Sequence, residues 1–169
     1  VDNDTLTVVQ VNGSAGGVGM AVAGSGGGTF TIGANGAAVF NPGTAFVDLA
    51  AGQTRISSVT YQVSDGNGGT SFATFSVTVT GVNDAPVSTP ISNQSGADAQ
   101  FVSFNVAGNF SDPDNGDTLT FSQTGLPPGL SINAAGVISG TINRSASTGS
   151  PYSVTITAMD GSGAQVSRT

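Results

Sequence analysis

Thr29-Phe30-Thr31-Ile32 and Ala37-Ala38-Val39-Phe40, on either side of Gly33-Ala34-Asn35-Gly36, decide the fold class. Thr29 to Ile32 alternates polar and apolar side chains, the period of a strand with one buried face. The Gly- and Asn-containing turn between the two runs signals a β-hairpin. Working outward, Leu6-Thr7-Val8-Val9-Gln10-Val11 reads as another strand, and Ile56 to Val63 and Phe72 to Val79 flank Asp65-Gly66-Asn67-Gly68-Gly69 as a second hairpin. Phe101 to Val106, Leu119 to Phe121, Val137 to Ile142 and Tyr152 to Ala158 continue the pattern, with Leu126-Pro127-Pro128-Gly129-Leu130 as a rigid loop. No stretch carries a helical period; Ala45 to Ala51 has room for one short turn. The expected fold is all-β, two tandem antiparallel β-sandwich domains. Phe30, Phe40, Tyr61, Phe75, Phe104 and Phe121 are the expected core.

The break lies at Gly81-Val82-Asn83-Asp84-Ala85-Pro86-Val87, where Pro86 forbids a continued central strand and pushes Ala85 to extended geometry. The expected domains are 1–82 and 83–169. A weak internal repeat relates them: Asp4-Thr5-Leu6-Thr7-Val8 matches Asp117-Thr118-Leu119-Thr120-Phe121, and Val63-Ser64-Asp65-Gly66-Asn67-Gly68 matches Ala158-Met159-Asp160-Gly161-Ser162-Gly163. Aligned this way, the first domain reads as lacking its opening strand and the second as lacking part of its last. The expectation is a piece of a longer repeat array. Its partners would be neighbouring repeats of the same chain, or neighbouring chains that exchange strands into a filament.

Composition narrows the function. The 169 residues carry a net charge of −7, with only Arg55, Arg144 and Arg168 as cations. Three scattered arginines cannot build the clustered positive surface that nucleic acid or anionic lipid requires. No apolar run is long enough to span a bilayer, and no signal peptide opens the sequence, so an export signal is expected elsewhere. The absence of Cys removes disulfides and zinc-thiolate sites, and a hydrophobic fraction of 37% is lean for one deep core. Small extracellular domains without disulfides commonly use another staple.

The staple suggested by the sequence is calcium. All ten acidic residues are aspartate, most of them in turns beside Gly, Asn or Pro. Short carboxylates on sharp turns are suited to all-oxygen calcium cages. The same Asp and Asn residues also form ordinary turns by bonding their own backbone, the simpler reading for an isolated Asp-Gly such as Asp65-Gly66.

Two resemblances sharpen this. Asp65-Gly66-Asn67-Gly68-Gly69 followed by Val77-Thr78-Val79-Thr80-Gly81-Val82-Asn83-Asp84-Ala85-Pro86, together with Phe46-Val47-Asp48-Leu49-Ala50-Ala51-Gly52, resembles a VCBS-type repeat of large bacterial surface proteins. Phe110-Ser111-Asp112-Pro113-Asp114, Gly125-Leu126-Pro127-Pro128-Gly129-Leu130, Gly136 to Thr141 and Thr157 to Gly163 resemble a dystroglycan-type cadherin-like, or bacterial immunoglobulin-like, domain. The resemblance implies calcium at domain junctions. It would be held by Asn83 and Asp84 of the linker, Asp112 and Asp114 of the D-x-D turn, and Asp160. Asp117 adds a ligand or caps the turn. Asp65 would face a preceding junction, with Asp2 and Asp4 as the tail of its D-x-D turn. Asp48 and Asp98 read as solvated or capping residues.

The function expected from these residues is non-catalytic: calcium-stiffened extender domains of a secreted or surface-attached bacterial adhesin or filament. The alternative is a calcium-dependent carbohydrate-binding module of a polysaccharide-degrading system, with Tyr152 as the candidate ring for stacking on a glycan. Catalysis finds little support, because there is no His to serve as base for a Ser nucleophile.

Overall fold

The computed structural model describes residues 4–169, so Asp2 lies outside the described residues. The chain divides after Val82 into two compact units. Both are all-β with antiparallel strand pairing. The only helical elements among the described residues are three short 3-10 turns.

In the first unit, β1 (Thr7–Val11), β5 (Thr54–Ser64) and β6 (Thr70–Thr80) form one sheet in the order β1-β5-β6. β2 (Ala21–Ala23), β3 (Thr29–Ile32) and β4 (Ala38–Asn41) form the other. The hairpin read around Gly33 to Gly36 closes by Gly33 N donating to Ala37 O at 2.8 Å. Inward-facing residues of both sheets meet in a core of Val8, Val11, Phe30, Ile32 and Val59, with Phe40, Tyr61 and Phe75 packed against it. Phe30 is the hub, its ring 4.7 Å from Phe40 and 5.7 Å, edge-on, from Phe75. Ala45 to Asp48 lies in a turn rather than a strand. Its tail is tied by Arg55, which donates to Ala45 O at 2.9 Å and to Asp48 Oδ2 at 2.6 Å. The guanidinium holds the Asp48 carboxyl below its ordinary range. Both side chains are more than a third exposed, and exposed pairs contribute little. Asp48→Asn is therefore expected to leave the first unit's urea midpoint within error of the parent.

In the second unit, β10 (Thr120–Thr124), β13 (Thr155–Met159) and β14 (Gln165–Arg168) form one sheet in that order. β11 (Leu130–Ile132), β12 (Val137–Thr141) and β8 (Phe101–Asn105) form the opposing one. Their core is Val106, Phe110, Ile138, Ile156 and Ala158, with Phe104 and Phe121 against it. A two-residue ladder joins β7 (Val87–Ser88) to β9 (Phe110–Ser111). β7 begins inside the stretch read as linker. Pro86 does not prevent it, because the buried proline precedes the strand instead of sitting within it. β2, β11 and β14 are short segments whose composition alone did not mark them as strands. β14 pairs with β13 across Gln165–Arg168, opposite Ile156–Met159.

Candidate metal centre

Three turns of the second unit converge, each placed by a strand end. The β7–β9 ladder sets Val87 opposite Ser111, which brings Asn83 and Asp84, just before β7, beside Asp112 and Asp114, just after β9. Asp160 follows β13 directly. Asp117 approaches β10, whose Thr120 pairs with Met159, so Asp117 reaches the same end of the sheet.

Hydrogen bonds fix each member. Asp84 N donates to Asp114 Oδ2 at 2.9 Å, and Asp114 N donates to Asp112 Oδ1 at 2.9 Å. Asp160 Oδ1 accepts from Ser162 N and Ala164 N, both at 2.9 Å, while its Oδ2 accepts from Asn83 Nδ2 at 2.9 Å. The same Asn83 nitrogen donates to Asp84 O at 3.0 Å, which orients the amide and leaves its oxygen as an acceptor. Asp114 and Asp160 are each only 3% exposed.

The remaining oxygens are unmatched. Asn83 Oδ1, Asp112 Oδ2 and Asp114 Oδ1 are buried with no hydrogen-bond partner. Carboxylate oxygens of Asp112, Asp117 and Asp160 lie within 4.8 Å of one another. Ionised carboxylates only accept, so they cannot satisfy each other. No cation of this chain pairs with them among the described residues, where the one ion pair is Arg55 with Asp48. Burial, and then the charges of Asp112, Asp114 and Asp160, pushes the Asp117 carboxyl above its ordinary range. The Asn83 amide, and then the N–H groups of the turn, holds Asp160 below its own against the opposing effect of burial. The donor set is all oxygen, because the chain has neither His nor Cys. Such a set suits a hard cation of the calcium or magnesium kind.

Asp65 belongs to the first unit and does not join this group. It opens the same turn as Asp160: Asp65 Oδ1 accepts from Asn67 N at 2.8 Å and Gly69 N at 2.9 Å, and Asn67 Nδ2 donates to Asp4 Oδ2 at 3.0 Å. Asp98, read as solvated or capping, accepts from Ser147 N and Oγ at 2.9 and 2.7 Å. Tyr152 is half-buried and its hydroxyl donates to Ala146 O at 2.9 Å. The contribution of the β7–β9 ladder was not visible in the sequence, since two residues per strand give no periodicity.

Two family models match the chain. One, described as "Putative Ig domain", covers residues 85–169, and another, described as "Bacterial Ig domain", covers residues 1–78. Both are coarser than the VCBS-type and dystroglycan-type resemblances. Among solved structures, an endo-fucoidan hydrolase from glycoside hydrolase family 107 is similar over 98% of this chain at 20% identity and a TM-score of 0.40, too low to carry an argument. The chain spans 23% of that protein's length. No curated protein matches the chain.

Proposed function

We propose that this chain, which belongs to the bacterial immunoglobulin-like domain family, is a non-catalytic extender segment of a large secreted or surface-attached bacterial adhesin or filament, stiffened by calcium. Such domains are typically extracellular and structural, and no helix among the described residues is long and apolar enough to cross a membrane. The observation that carries the calcium reading is the set of three buried oxygens left without partners amid clustered carboxylates. Asn83, Asp112, Asp114, Asp117 and Asp160 would hold the ion, with Asp84 positioned by its backbone bond to Asp114. The ion would supply positive charge where this chain has none.

The mechanical consequence follows from where Asn83 and Asp84 stand in the chain. They come directly after the first domain, so fixing them shortens the free connection to Gly81 and Val82. Gly81 is itself held: Gly81 N donates to Gln53 O at 2.8 Å, and a Cβ there would collide with the Leu49 and Ala50 backbone. Neighbouring repeats and filament formation belong to this same reading.

Catalysis is not part of it. Asp117 and Asp160 shift in opposite directions, as an acid and base pair would. A glycosidase, however, needs room for sugar or water between its carboxyls, and here Asp112 occupies the same 4.8 Å cluster. Glycan binding through Tyr152 is not favoured either, since its ring is half-buried and the chain has no Trp and only two Tyr to stack on a sugar face.

Small-angle scattering of the chain in calcium and in chelator tests the proposal. The expected result is a larger maximum dimension and a narrower distance distribution with calcium. Identical curves in saturating calcium and in chelator would remove the strut role.

A further inference from the structure

The two domains repeat the same frame with one difference. Val8 N donates to Ala34 O in the first, and Phe121 N donates to Ala134 O in the second. The turn closed by Gly33 and Ala37 has its counterpart in the turn closed by Asn133 and Val137. β4 therefore corresponds to β12, and β6 to β14. β12 is paired on both sides, by β11 and β8. β4 has β3 alone among the described residues, and the eleven-residue β6 has β5 alone.

The packing differs at the same place. In the second domain, Val106 and Phe110 are buried, Phe110 meets Phe121 edge-on at 5.4 Å, and a Cβ on Gly136 would lie 3.0 Å from Ala107 Cβ. In the first domain, a Cβ on Gly36 would meet nothing within 4 Å. Ala38 is exposed where Ile138 is 2% exposed, and Leu6 is 63% exposed where Leu119 packs against the core. A groove of about 320 Å³ opens there, reaching Val8, Ile32, Tyr61 and Phe75. Natural sheets guard free edges with Lys, Pro or bulges. β6 has none of these: Thr70–Thr80 holds no charge and no proline and pairs with β5 in unbroken register.

We propose that this groove and the free β4 edge form an acceptor for an extended peptide segment with the chemistry of Phe101–Ser111. The segment would be uncharged and strand-forming, and would end in a large apolar residue that fills the groove as Phe110 fills its own site. Charge agrees on both sides, since neither the groove lining nor Phe101–Ser111 carries a charged residue. Main-chain bonds to β4 would add a strand to that sheet, and the apolar side chains would set the register. A donor that continues into an Asp-x-Asp turn would bring carboxylates beside Asp4 and Asp65, which stand where Asp117 and Asp160 stand in the second domain. That last step rests on the calcium reading proposed above; the docking itself does not.

The test is titration of the full chain, labelled with ¹⁵N, with a synthetic peptide of residues Gln100–Asp114, in chelator and in calcium. Saturable shifts at Leu6–Val8 and Gly36–Val39 are expected, with affinity falling about tenfold or more for the peptide bearing Phe110→Ala. Ala38→Asp in the chain, at an exposed position, should abolish those shifts while circular dichroism stays unchanged. Binding equal in chelator and calcium supports the docking and counts only against the cation step. The proposal is overturned by absent shifts or by shifts confined to the second domain.

Discussion

Calcium added to the chelated chain is expected to raise the melting temperature of the second domain and leave the first unmoved. An ion that binds only the folded state contributes about 2.7 kcal/mol at a free concentration one hundred times its dissociation constant. For a domain of this size each kcal/mol moves the midpoint by about 4–8 °C, so the shift is about 10–20 °C. The sign follows from the site. Without the ion, the folded state gathers four carboxylates, Asp112, Asp114, Asp117 and Asp160, and leaves one oxygen each of Asp112, Asp114 and Asn83 buried with no partner in place of water. The unfolded chain has no such penalty. Magnesium is expected to give a clearly smaller shift, because it holds its own water and tolerates crowded, irregular cages poorly. Differential scanning calorimetry reads all of this at once. Equal shifts from both ions would point to simple charge screening, and no shift from either would leave the aspartates as turn formers.

How much of this was legible beforehand depends on the range of the interactions. The hairpins around Gly33–Gly36 and Asp65–Gly69 are local, and turn chemistry with alternating side chains was enough to place them. Phe30, Phe40 and Phe75 fall on inward faces for the same reason. The two-residue ladder of Val87–Ser88 with Phe110–Ser111 is different. It spans more than twenty residues of sequence and depends on tertiary packing, so no window could reveal it. That ladder is what places Asn83 and Asp84 beside Asp114. The residues that converge there could therefore be named as candidate ligands from a family resemblance, whereas their bonding could not. Nothing in the spacing predicts that Asn83 donates to Asp160 and leaves its own oxygen free. The division of labour between Asp117 and Asp160 was equally hidden. Both are aspartates beside turns, and only their surroundings push one carboxyl up and the other down.

That difference gives the two residues opposite signs on substitution. Asp160→Ala removes the acceptor of Ser162 N, Ala164 N and the Asn83 amide at a position 3% exposed. Ser162 N and Ala164 N would lose their side-chain acceptor and the Asn83 amide one of its two, which costs more than the bonds were worth wherever water cannot replace them. The variant is expected to melt several degrees below the parent in chelator and to lose its calcium response. Asp117→Asn should do the reverse in chelator. Its carboxyl is raised by burial and by its acidic neighbours, so its charge opposes folding at neutral pH, and a neutral amide relieves that strain. The same substitution weakens calcium binding, because it removes a charged ligand. Acid resolves the pair further. As pH falls from neutral towards the raised value of Asp117, the chelated domain gains stability from that residue, since the folded state takes up the proton more readily than the unfolded. Asp160 acts oppositely: its contribution is present above the ordinary aspartate value of 3.8 and is lost as pH falls through its lowered one. The chelated parent should therefore be most stable in mildly acidic solution, and Asp117→Asn should flatten the rise on that side of neutrality while keeping the fall below it. A parent whose melting temperature declines monotonically from neutral pH would show that the carboxylates do not confront one another in the folded domain, and the cation would then have no repulsion to relieve.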